Sequence, residues 1–97
     1  MATYWILVSW TEQGIKNVKE SPRRLDAARE LGKKLGVKLE DFYMTIGPYD
    51  MLTRLEAPGD DAVAKFVLAL STGGNVRTTT LKAFPEKEYR EIIKALP

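Results

Sequence analysis

Neither cysteine nor histidine occurs anywhere in the 97 residues. Without them the chain can form no disulfide, no thiolate nucleophile, no Ser–His relay, no proximal-histidine haem site and no histidine-ligated zinc site. Carboxylates, Lys, Tyr, Ser/Thr and Arg remain for chemistry. None of these titrates unperturbed between about pH 5 and 8, so acid–base work would require a carboxylate or lysine shifted by burial. An excess of one charge is also missing: Lys+Arg 15 against Asp+Glu 13 leaves +2. Acidic and basic residues intersperse along the expected helices instead of forming a basic stripe, which argues against nucleic acid as a partner. No apolar run approaches the roughly 20 residues that cross a bilayer, and Met1-Ala2-Thr3-Tyr4 lacks the basic start of a secretory signal. The expectation is a soluble, cytoplasmic protein with no membrane partner, no metal and no cofactor. At 44% hydrophobic and 29% charged residues the chain has the balance of a packed globular protein, and 1–97 is read as a single domain.

What is present is a clear alternation of elements. Thr3 to Trp10 is aromatic and β-branched, apolar at both parities, with Tyr4, Ile6, Val8 and Trp10 on one face and Trp5 and Leu7 on the other, as expected of a central strand. Thr11 to Glu20, with Gly14 and only Ile15 and Val18 as anchors, reads as a loop or short irregular helix. Ser21-Pro22 offers an N-cap and a proline at the first helical position, and Leu25, Ala28, Leu31 and Leu35 continue one stripe to Gly36. Lys38 to Ile46 alternates Phe42, Met44 and Ile46 with Tyr43 and Thr45. Gly47-Pro48-Tyr49 then makes a tight turn into a strand over Asp50 to Ala57. Asp60 can cap a helix carrying Val63, Phe66, Val67 and Leu70 as far as Gly73-Gly74. Asn75 to Phe84 is a polar fourth strand suited to a sheet edge. Beyond Pro85, Tyr89, Ile92, Ile93 and Leu96 make a short amphipathic helix expected over the sheet.

The order βαββαβ plus a C-terminal helix is the ferredoxin-like α+β arrangement, an antiparallel four-stranded sheet with the first and third strands inside. Its right-handed crossovers place both helices on one face. Trp5 and Leu7 on the other face then need a cover, and a second copy is the simplest one, giving a dimeric α+β barrel or a higher homo-oligomer. The terminal helix is the other available cover.

Three ordered segments carry a resemblance. Trp10-Thr11-Glu12-Gln13-Gly14-Ile15, Gly47-Pro48-Tyr49-Asp50 and Gly74-Asn75-Val76-Arg77-Thr78-Thr79-Thr80-Leu81-Lys82-Ala83-Phe84 resemble the W-T-x-Q-G-I, G-x-Y-D and G-N-V-R-T-x-T-L-x-A-F segments of the GYD domain family. The resemblance implies a small prokaryotic protein of dimeric α+β barrel form, and no agreed activity.

The residues leave catalysis open. Trp10 and Lys16 fall just past the central strand, in a segment that suits either a ligand-facing loop or an ordered surface loop. Tyr49 and Asp50 could be a structural turn, or a phenol and carboxylate facing a pocket. Arg54 on the inner third strand must be paired, with Glu56 or Asp50 at hand. Asn75, Arg77 and Thr79 form a row able to hold an oxygen-rich ligand, or merely a soluble edge. Two functions compete. One is a small-molecule-binding protein or cofactor-free enzyme, with a pocket between sheet and partner rimmed by Trp10, Tyr49, Asp50, Asn75 and Arg77; the other is a non-catalytic oligomeric or partner-binding module.

Overall fold

A computed structural model describes all of residues 1–97. β1 (Ala2–Trp10) leads through a five-residue helix α1 (Glu12–Lys16) and one 3₁₀ turn into α2 (Ser21–Leu35). Then follow β2 (Lys38–Met44), β3 (Met51–Ala57), α3 (Asp60–Ser71), β4 (Val76–Ala83) and α4 (Glu86–Lys94). Every strand pairing is antiparallel and the order is β2-β3-β1-β4, the ferredoxin-like α+β topology with β1 and β3 inside.

The two faces of the sheet divide as the alternation of β1 requires. Tyr4, Ile6 and Val8 are buried beneath α2 and α3, together with Leu55, Ala57, Val63 and Phe66. Register fixes the opposite face. Trp5 lies between Arg54 and Leu81, and Leu7 between Leu52 and Thr79. No helix covers these residues.

Three local expectations are corrected. Ser21 is not an N-cap: it already has helical dihedrals, because the 3₁₀ turn runs straight into α2 and Pro22 follows within the first turn. Asp60 does not cap α3 either. Its carboxylate accepts the hydroxyl proton of the buried Tyr4 and lies 3.4 Å from Lys82 Nζ. This contact raises the Tyr4 pKa to about 12, with burial adding to the effect, and lowers that of Asp60, where Lys82 acts in the same direction. At the far end of α2, Gly36 takes the left-handed conformation (φ 77°) that closes a helix C-terminus, as its position predicted.

β2 is the third correction. One extra residue sits between the pairs Leu39–Leu55 and Phe42–Thr53, a bulge that lets Leu39 and Phe42, three apart, both pack against the core. The clean Phe42, Met44, Ile46 stripe therefore does not exist, and Ile46 is fully exposed in the connection to β3.

α4 forms but does not lie over the sheet. Every residue from Phe84 to Pro97 is exposed, including Tyr89, Ile92, Ile93 and Leu96. The molecule measures 51 × 31 × 18 Å with a radius of gyration of 14.6 Å. A compact chain of this length would have about 12.5 Å; the arm accounts for the difference in kind.

Candidate functional site

Topology brings four chain ends together: the C-terminal end of β1, the start of α2, the end of α3 and the start of β4. Here α1 clasps the α3–β4 turn. The Thr11 backbone N–H donates to the Asn75 carbonyl (3.0 Å), the Thr11 hydroxyl to the Gly74 carbonyl, and Gln13 Nε2 to the Gly73 carbonyl (2.9 Å) and to Asn75 Oδ1 (3.0 Å). Gly14 makes the approach possible, since a Cβ there would stand 2.0 Å from the Asn75 carbonyl oxygen. Arg24 of α2 donates to the carbonyls of Asn17 and Gly14 and ties α1 down from the other side. The third segment joins them: Asp50 Oδ2 accepts the Trp10 backbone N–H at 2.9 Å, and the Asp50 N–H donates to the Val8 carbonyl. All three sequence segments that carry the family resemblance thus meet around Trp10.

Beside this junction a cavity of about 420 Å³ opens between the sheet and the facing sides of α2 and α3. Of its 20 lining residues 14 are hydrophobic, which makes the interior a poor host for water. Its polar residues gather mostly at the junction end: Ser21, Arg24, Thr72 and Asn75. Trp10 also lines it, and its indole Nε1 is buried without a partner. Leaving such a donor unmade costs about 1–3 kcal/mol.

The residues singled out from the sequence do not converge as one rim. Trp10 and Asn75 line this helix-side cavity, whereas Arg77 and Thr79 pair with Ser9 and Leu7 on the uncovered face. Asn75 therefore parts company with Arg77 and Thr79. It precedes β4, and its side-chain oxygen is held by Gln13. Tyr49 and Asp50 belong to the β2–β3 connection, closed by the Thr45 N–H to the Asp50 carbonyl (2.8 Å) and the Thr45 hydroxyl to the Tyr49 carbonyl (2.7 Å). Lys16 is exposed and lies 3.8 Å from Glu12. Arg54 is paired on the uncovered face, with Asp41 at 2.8 Å and Glu56 at 3.0 Å, and Asp50 takes no part. Asp41 and then Glu56 hold its guanidinium more firmly protonated than usual.

Sequence reasoning missed Arg24, Ala28, Phe42 and Ala69 of the lining. The available signal was the small side chain: Ala28 on α2 and Ala69 on α3 leave unfilled the space that larger residues would occupy.

The GYD domain description matches residues 4–93. The chain belongs to the GYD domain family. This GYD chain is 34% identical over 86 residues to the glutamine synthetase and cystathionine beta-lyase binding protein of Thermus thermophilus, an alignment covering 88% of the chain and 90% of that protein. Two solved structures share the fold. One is MtbAldR (TM-score 0.67, 14% identity, 87% of this chain); the GYD chain spans about half of that protein's length, 52%. The other is FFRP-DM1 (TM-score 0.60, 19% identity), of which all is covered by 87% of this chain. No helix of the GYD chain is long and apolar enough to cross a membrane.

Proposed function

We propose that this GYD chain is a non-catalytic binding protein that works as a homo-oligomer and holds a partner enzyme. Two separate apolar surfaces are uncovered, and each suits a different occupant. The sheet face, with Trp5, Leu7, Leu52 and Leu81, sets Arg54 beside its own acidic neighbours Asp41 and Glu56, so two copies can meet there about a twofold axis with the Arg54 charge already neutralised within its own chain. This is the dimeric α+β barrel. The arm is the observation that carries partner binding. Tyr89, Ile92 and Ile93 stand free of the chain's own core on a nine-residue helix, with Leu96 exposed just beyond its C-terminal end, and a helix of that length is marginal in isolation. Anchors at such spacing are how an amphipathic helix enters a groove on another protein.

The Thermus relative, named for binding glutamine synthetase and cystathionine beta-lyase, directs the first trial to those enzymes. Purified glutamine synthetase and cystathionine beta-lyase should each be titrated calorimetrically with the full chain and with a version ending at Phe84. Saturable binding that the truncation abolishes is the expected result. Equal binding by both removes the arm from this role, and no binding to either enzyme sinks the partner assignment.

A second reading has its own observation. The 420 Å³ cavity lies within the usual range for small-molecule sites, roughly 300–1,000 Å³. Its lining contains no carboxylate or amine to serve as a base, so it supports binding of a small molecule over its conversion.

A further inference from the structure

Resting on that second reading, we propose that the cavity takes an amphipathic monocarboxylate, its oxygens at the Trp10–Asn75 end and its apolar chain running between the helices and the sheet. The polar end offers three donor groups, the Asn75 amide, the Trp10 indole N–H and the Arg24 guanidinium, whereas the Thr72 hydroxyl already donates to the Ala69 carbonyl. Gln13 occupies the Asn75 side-chain oxygen, and the Asn75 amide nitrogen makes no hydrogen bond within the chain. Trp10 contributes the one buried side-chain polar atom without a partner, an N–H donor on a residue that lines the cavity. Arg24 is the sole charged residue of the lining. Its bonds to the carbonyls of Asn17 and Gly14 fix it in place and leave its positive charge unneutralised. No acidic side chain opposes it anywhere in the lining, so an anion is favoured and a cation repelled.

The other end suits a hydrocarbon. α2 runs away from the junction, and Leu31, ten residues beyond Ser21 and so about 15 Å along the helix, lines the cavity with Leu39 and Phe42. The cleft is open to solvent on one side and its lining is mostly apolar, so a flexible hydrocarbon entering it takes apolar surface out of water.

The test uses the full chain carrying Trp5→Phe, which leaves Trp10 as its only tryptophan. Sodium decanoate, below its micellar concentration, should change Trp10 emission saturably and raise Tm. Ala69→Phe, at a solvent-tolerant position on the cavity wall, should weaken decanoate binding at least about tenfold with the circular dichroism unchanged; Ala27→Phe replaces it should that variant not fold. In calorimetry, Trp10→Phe should weaken binding about 3–10-fold, the effect of one hydrogen bond. Decyltrimethylammonium should bind at least tenfold more weakly than decanoate. Decanoate binding that ignores Ala69→Phe places the probe on the exposed sheet face or arm and overturns the proposal. If 1-decanol binds in an Ala69-sensitive manner and decanoate does not, the cavity reading survives while the carboxylate class falls. If neither binds, both fall together.

Discussion

Tyr4 is the most deeply placed titratable side chain of the helix-facing side, and its only hydroxyl partner is Asp60 at the surface end of α3. The unfolded chain ionises tyrosine near its ordinary pKa of about 10, whereas the folded chain holds the Tyr4 proton to about 12. The contribution of this contact is therefore fully present below pH 10 and is lost as pH rises through 12. Asp60 has the opposite sense: its lowered pKa gives stability that is lost as pH falls below the ordinary aspartate range. Tyr4→Phe should lower Tm by a few degrees at pH 7 and flatten the difference between pH 9 and 12, as followed by thermal melts across that range. A variant whose alkaline limb matches the parent would show that Tyr4 does not govern it.

Between elements, the clasp of α1 on the α3–β4 turn decides whether the junction exists. Gly14→Ala would drive a methyl group into the Asn75 carbonyl, and backbone on the receiving side cannot step aside as a side chain can. The expected loss is about 2–3 kcal/mol, seen as a lower urea midpoint, with Trp10 emission shifting toward that of exposed indole. An unchanged midpoint would mean that the clasp is dispensable. The parts of this junction differ in how far they could be read from sequence. The order of elements, the inside position of β1 and the opposed directions of Trp5 and Ile6 follow from residue alternation alone, and Gly36 ends α2 by the ordinary logic of a left-handed cap. The bulge in β2 leaves no such mark, because Glu40 and Asp41 suit solvent on either parity. Alternation sets Asn75 in a row with Arg77 and Thr79 and fails there, since Asn75 precedes the paired residues of β4 and its side-chain oxygen is held by Gln13, 62 positions away. The cavity was invisible for a related reason: it depends on the separation of two helices, and periodicity says which way a helix faces without saying how far it stands from the next.

For the whole molecule, the central question is what shelters the uncovered face of the sheet. The arm leaves that face open, since all of its residues are exposed, and α2 and α3 occupy the other side. Apolar area that a second copy takes out of water there contributes about 25 cal/mol per Å², Leu81 being more exposed than the part-buried Trp5, Leu7 and Leu52, and a self-complementary arrangement counts every such residue twice. Trp5→Glu places a carboxylate between Arg54 and Leu81. Within one chain that change is mild, because Trp5 contributes nothing to the core formed by Ile6, Leu55 and Phe66. Across two chains meeting face to face it sets paired negative charges in the middle of the contact. Light scattering at micromolar concentration should therefore report a dimer or larger assembly for the parent and a folded monomer for Trp5→Glu, with helical circular dichroism retained. If the parent is a monomer, the paired-sheet arrangement is wrong. If Trp5→Glu keeps the parent's mass, the copies associate through some other surface, and the arm is then the first segment to remove.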